Sequence, residues 1–184
     1  MKINPLDLVL NNKLKIDKNF YFITGNELTY IEKIKEIIIN TYNENKDTKI
    51  EKINNLNSYS NSISLFESKK IYVVSSIEKI DEGVINKLDI KDEIFIFSLE
   101  NSPKTRIIKK KFINRKDSCL IECYELTKEE KIKILNNWLN KIGVTLENET
   151  YWFLVEKLDN RYVFLESELK KLEEINKKNL NLED

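Results

Sequence analysis

Phe20-Tyr21-Phe22-Ile23-Thr24-Gly25-Asn26-Glu27-Leu28-Thr29-Tyr30-Ile31-Glu32 is the stretch that decides the fold. Its first five residues are aromatic or β-branched, as in a strand buried on both faces, and Gly25-Asn26 supplies a turn at the end. Past the turn, Tyr30, Ile31, Ile34, Ile37 and Ile38 recur at three- and four-residue steps, which places one apolar stripe along a helix. That helix stops in the Asn-rich stretch from Asn40 to Asn45. A continuously apolar strand followed by a helix with one greasy face opens an α/β domain whose parallel sheet is covered on both sides.

The same pattern continues outward. Apolar runs at Ile71 to Val74, Ile94 to Phe97 and Cys119 to Ile121 have strand lengths, and the segments between them are long enough for crossover helices. From Glu125 the period changes to a helical one. Thr127 and Glu130 are spaced as a capping box, and Ile132, Leu135, Leu139 and Ile142 form the stripe of a helix that Gly143 ends. Tyr151, Leu154, Val155 and Leu158 suggest a second helix. Leu165, Leu169, Leu172 and Ile175 suggest a third, after a break at Asp159-Asn160, and Asn176 to Asp184 reads as a frayed end. The expectation is an α/β domain over residues 1–125 and a small three-helix domain over residues 126–184.

Bulk composition narrows the function. With 41% hydrophobic and 34% charged residues in 184, the chain has enough apolar side chains to fold. Lys plus Arg and Asp plus Glu both number 31, so no whole-molecule field holds a polyanion, and any DNA contact is local. Cys119 and Cys123 are the only cysteines and histidine is absent, which leaves no zinc site, no disulfide framework and poor material for acyl transfer. They have the same parity on a strand and read as small buried side chains. No apolar run approaches the roughly 20 residues of a membrane span, so the reading is a soluble, cytoplasmic chain with no metal and no membrane partner.

A nucleotide-binding domain of this pattern carries a phosphate loop after its first strand, with a second glycine and a Gly-Lys pair. Here Gly25 is followed by Asn26-Glu27, and Glu27 and Glu32 put negative charge where phosphate would lie. No cofactor is expected. The remaining candidate is the basic run Lys109-Lys110-Lys111, with Lys104, Arg106, Arg115 and Lys116 nearby, which could lean on a DNA backbone or form a solvated helix face.

Three segments, taken in order, go further. They are residues 19–27, with a Gly and then polar or acidic residues, and Ser62-Ile63-Ser64-Leu65-Phe66-Glu67-Ser68-Lys69-Lys70-Ile71-Tyr72-Val73-Val74. The third is the helical region from Leu126 that ends in Phe164-Leu165-Glu166-Ser167-Glu168-Leu169-Lys170-Lys171-Leu172. Together they resemble the delta subunit of the bacterial DNA polymerase III clamp loader, over two of that family's three domains and without its collar. The resemblance implies a RecA-like, AAA+-like parallel sheet domain lacking a P-loop, followed by a three-helix lid, with no chemistry of its own. It implies that Leu65 and Phe66, beside Ser64, project from a helix into an apolar pocket of the beta sliding clamp and help to open it. The implied partners are the clamp, the gamma or tau subunits, delta prime, and DNA indirectly within the complex. Two other readings stay open: an active AAA+ or P-loop ATPase, and a DNA-binding accessory protein using Lys109, Lys110 and Lys111.

Overall fold

The computed structural model describes residues 1–11, 16–43, 48–54, 70–74 and 93–180. Ser64, Leu65 and Phe66 lie outside the described residues. The chain divides into two compact units, Met1–Cys123 and Tyr124–Asp184.

In the first unit the strands among the described residues are β1 (Lys2–Ile3), β2 (Phe20–Gly25), β3 (Lys49–Ile53), β4 (Lys70–Val74), β5 (Glu93–Glu100) and β6 (Ser118–Cys123). Its helices among the described residues are α1 (Pro5–Leu10), α2 (Leu28–Tyr42) and α3 (Pro103–Ile113). The six strands form one sheet in the order β1-β6-β2-β5-β4-β3, and every pairing is parallel. Parallel neighbours need a crossover between them, which puts helices on the sheet faces and explains why β2 and β4 are buried at every position.

Strand alternation then sorts the side chains. Phe20 and Phe22 point to one face with Phe95, Phe97, Tyr72, Val74 and Leu120, and Phe112 from α3 closes over them. The Phe112 ring stacks on Phe22 at 5.2 Å and meets Phe20 edge-on at 5.9 Å. The opposite face carries Tyr21, which packs edge-on against Tyr42 at the end of α2. The two hydroxyls lie 2.5 Å apart and both reach the Ile16 carbonyl. Tyr30, Ile31, Ile34 and Ile38 are the buried stripe of α2, while Ile37 is half-buried. Each large side chain removed from water here contributes roughly 1.5–3 kcal/mol.

Two strands fall outside the apolar runs that sequence periodicity picks out. Among the described strands β3 pairs with β4 alone; it mixes charge with isoleucine, leaving Ile50 42% exposed, and β1 is two residues long on β6. Edge strands have one neighbour, so their composition need not be continuously apolar.

The second unit contains α4 (Lys128–Ile142), α5 (Asn148–Lys157) and α6 (Tyr162–Leu180). The capping box is formed: the Thr127 N–H donates to Glu130 Oε2 at 2.9 Å and the Glu130 N–H to Thr127 Oγ1 at 3.3 Å. Gly143 ends α4 in the left-handed region with φ 69°. The buried stripe of α4 is rotated from the expected one: it is Lys131, Ile134, Leu135 and Leu139, with Ile132 and Ile142 half-buried. Lys131 fits there because its Nζ donates to the Leu158 carbonyl at 3.0 Å, capping the end of α5 while its stem lies among apolar side chains. The helix α6 runs on to Leu180, past Asn176, where the sequence suggests fraying.

Candidate functional site at the carboxyl end of the central strand

In an open parallel sheet, the crevice for ligands lies outside the carboxyl ends of the strands where the strand order reverses. That point is the end of β2, flanked by β5 and β6, with Gly25 opposite Glu100 and Cys123. Chain leaving β2 passes through Asn26 and Glu27 into α2, the place where a phosphate loop would cradle its ligand with backbone N–H groups.

Here those groups are already engaged by the chain itself. The N–H groups of Asn26 and Glu27 both point at the Cys123 carbonyl, at 3.2 and 3.4 Å. The Asn101 N–H reaches the Gly25 carbonyl at 3.0 Å, and the Thr24 hydroxyl lies 3.4 Å from Asn101 Oδ1. Gly25 is pressed so closely on β6 that a Cβ on it would come within 1.7 Å of the Cys123 carbonyl oxygen. Its φ of +154° adds a backbone preference for glycine.

The N-terminus of α2 is closed by Glu27. Its carboxylate accepts from the N–H groups of Thr29 at 3.1 Å and Tyr30 at 2.7 Å, and from the Thr29 hydroxyl at 2.8 and 3.0 Å. The side chain is buried, with 5% of the residue exposed. An anion therefore sits on the positive end of the helix dipole, as a phosphate would, but it belongs to the protein. Burial, with a further contribution from Glu27, pushes the Cys123 thiol up to about 12 and keeps it neutral. Glu27 is thus a cap as well as a negative charge, a role that its residue type conceals because Glu is not among the preferred capping residues. Glu32, expected at the same place, lies in the second turn of α2 and pairs with Lys35.

The basic run is distributed rather than clustered. Lys109 turns inward from α3 and forms an ion pair with Glu122 of β6, which Lys2 also reaches at 2.5 Å. Burial alone would raise the Glu122 carboxyl, but Lys109 and Lys2 outweigh it and hold it below the usual carboxylate range. Arg115 pairs with Asp117 at 2.6 Å and lies over the Phe20 ring at 4.6 Å. Lys110 and Lys111 are exposed. Among the described residues, no three His, Cys, Asp or Glu side chains come together as a metal site, and no helix is long and apolar enough to cross a membrane.

The strand order defines the class: the first unit is an all-parallel α/β domain with a RecA-like, AAA+-like fold. The solved structure of the Bacillus subtilis DNA clamp loader delta protein shares this fold, with a TM-score of 0.55 and 14% identity, over 91% of this chain and 56% of that one. The chain thus spans just over half the length of that protein. Domain III of the Thermotoga maritima replication initiation protein DnaA aligns with a TM-score of 0.43 and 14% identity, over 94% of this chain and 81% of that one. Thermotoga maritima RuvB aligns at 0.37 and 10% identity, over 88% of this chain and 56% of that one. No protein-family model and no curated protein sequence matches the chain.

Proposed function

We propose that this protein is a clamp-loader subunit of the delta type, which binds and opens a sliding clamp and has no nucleotide chemistry of its own. The observation that carries the reading is the Glu27 carboxylate on the N-terminus of α2, in a domain of AAA+-like fold. A domain that fills its own phosphate cradle keeps the scaffold of a nucleotide switch but works as a protein-binding part. The fold shared with the Bacillus subtilis clamp loader delta protein supports the same reading.

In this proposal Leu65 and Phe66, with Ser64 beside them, anchor the clamp, and the second unit is the lid. The gamma or tau subunits and delta prime are the further partners, and DNA is met within the complex. An exposed Leu-Phe pair costs solubility unless a partner covers it, and burying each side chain contributes roughly 1.5–3 kcal/mol to binding. Replacing both, Leu65→Ala with Phe66→Ala, is expected to weaken binding to the cognate sliding clamp by at least about tenfold, with an unchanged circular dichroism spectrum. Surface plasmon resonance on the whole chain reads this directly. Equal affinity of the variant and the parent would remove the anchor, and micromolar binding of ATP with magnesium would favour an active ATPase instead.

A further inference from the structure

The outer face of α3 combines exposed cations with exposed isoleucines. The helix Pro103–Ile113 contains no acidic residue. Its inward side carries Thr105 and Phe112, both buried, and Lys109, paired to Glu122. Its outward arc, at helical spacing, carries Arg106, Ile107, Lys110, Lys111, Ile113 and Asn114, all exposed. Among the described residues, Glu122 pairs with Lys109 and Lys2, and Asp117 pairs with Arg115. Within this cationic arc Ile107 is 62% exposed, the most open large apolar side chain described, and Ile113 is 46% exposed.

We propose that this face docks an acidic segment of another protein that presents an apolar side chain beside its carboxylates. Charge complementarity selects an anionic partner. The two isoleucines distinguish its kind, because a phosphate backbone offers Arg106 and Lys110 their contacts but leaves Ile107 and Ile113 in water. A protein segment covers both at once, carboxylates meeting the cations and an aliphatic or aromatic side chain seated on Ile107. The proposal uses neither Leu65 nor Phe66, so it stands whether or not those residues bind a clamp.

The test is fluorescence anisotropy with the whole chain and three labelled probes, in about 0.15 M salt. The probes are a peptide alternating Asp and Leu, a polyaspartate of equal charge, and a DNA duplex. The Asp-Leu peptide is expected to bind at least about tenfold tighter than either other probe. Ile107→Ser and Lys110→Glu should each loosen it by about tenfold, with thermal unfolding unchanged because both side chains are exposed. The Leu65→Ala, Phe66→Ala chain should bind the peptide as the parent does, which separates this surface from the clamp anchor. Equal binding of polyaspartate or DNA, insensitivity to both α3 substitutions, loss of peptide binding in the Leu65/Phe66 variant, or no binding at all would each overturn the proposal.

Discussion

Gly25 and Glu27 show how little room the end of β2 leaves. A methyl group on Gly25 would meet a backbone carbonyl at 1.7 Å, and backbone cannot swing aside as the end of a side chain can. Gly25→Ala therefore has to push β6 away from β2, and urea unfolding followed by circular dichroism should show a loss of at least about 3 kcal/mol. An unchanged midpoint would mean that the two strands part easily there. At Glu27 the loss is of another kind. Glu27→Ala removes the acceptor for two N–H groups at a buried helix start, a change expected to cost about 1–2 kcal/mol, while Glu27→Gln keeps one oxygen in place and should cost less. Alanine and glutamine variants of equal stability would contradict the capping role. Glycine at the turn and acid after it could be read from the sequence. What the acid does could not, because capping depends on the side chain folding back over Thr29 and Tyr30, a matter of conformation rather than residue type.

Legibility at the scale of elements follows neighbour count. β2, β4, β5 and β6 each have a partner strand on both sides, so their apolar runs announce them; β3, with a single partner among the described strands, reads Lys-Ile-Glu-Lys-Ile and does not. The stripe of α4 was displaced by one buried lysine, since periodicity counts Lys131 as polar while its long stem packs as an apolar one. The basic run was visible, but its division was not: Lys109 faces β6 because its helical position points there, and Lys110 one residue on faces water. Segment 55–69, which holds Ser64, Leu65 and Phe66, lies outside the described residues, and its assignment rests on resemblance. The Glu122 junction ties three elements, β1, β6 and α3, and it makes stability depend on pH. Its carboxyl is lower in the folded chain than the ordinary value of 4.5. A group shifted this way adds stability above its unfolded pKa and loses it as the pH falls through the folded one. Acidification below about pH 4.5 should therefore lower the unfolding temperature, and Glu122→Gln should flatten that limb while lowering stability at neutral pH. A variant with the parent's acid limb would show that Glu122 does not govern it.

At the scale of the whole molecule, the two units differ in how their cores are made. The first packs six described strands in one sheet, with Phe20, Phe22, Phe95, Phe97 and Phe112 in one cluster. The second builds its core from short apolar stripes on three helices, in which Leu135, Val155 and Leu165 are almost wholly buried. A unit of about 60 residues buries a smaller fraction of its surface than one twice that size, and hydrophobic stabilisation falls with it. The second unit is therefore expected to melt first, and the sequence supplies the probe. Trp138 and Trp152 are the only tryptophans in the chain and both lie in the second unit. Trp138 is half-buried, so its emission should shift to the red when that unit opens, whereas far-ultraviolet circular dichroism follows helices and strands of both. In a urea titration the tryptophan midpoint should precede that of the main dichroism transition, and Thr127→Ala, which breaks the capping box of α4, should move the former by about 0.5–2 kcal/mol and leave the latter in place. Coincident midpoints that shift together in the variant would mean that the small unit does not unfold on its own, and that the stability of α4 is felt by the sheet.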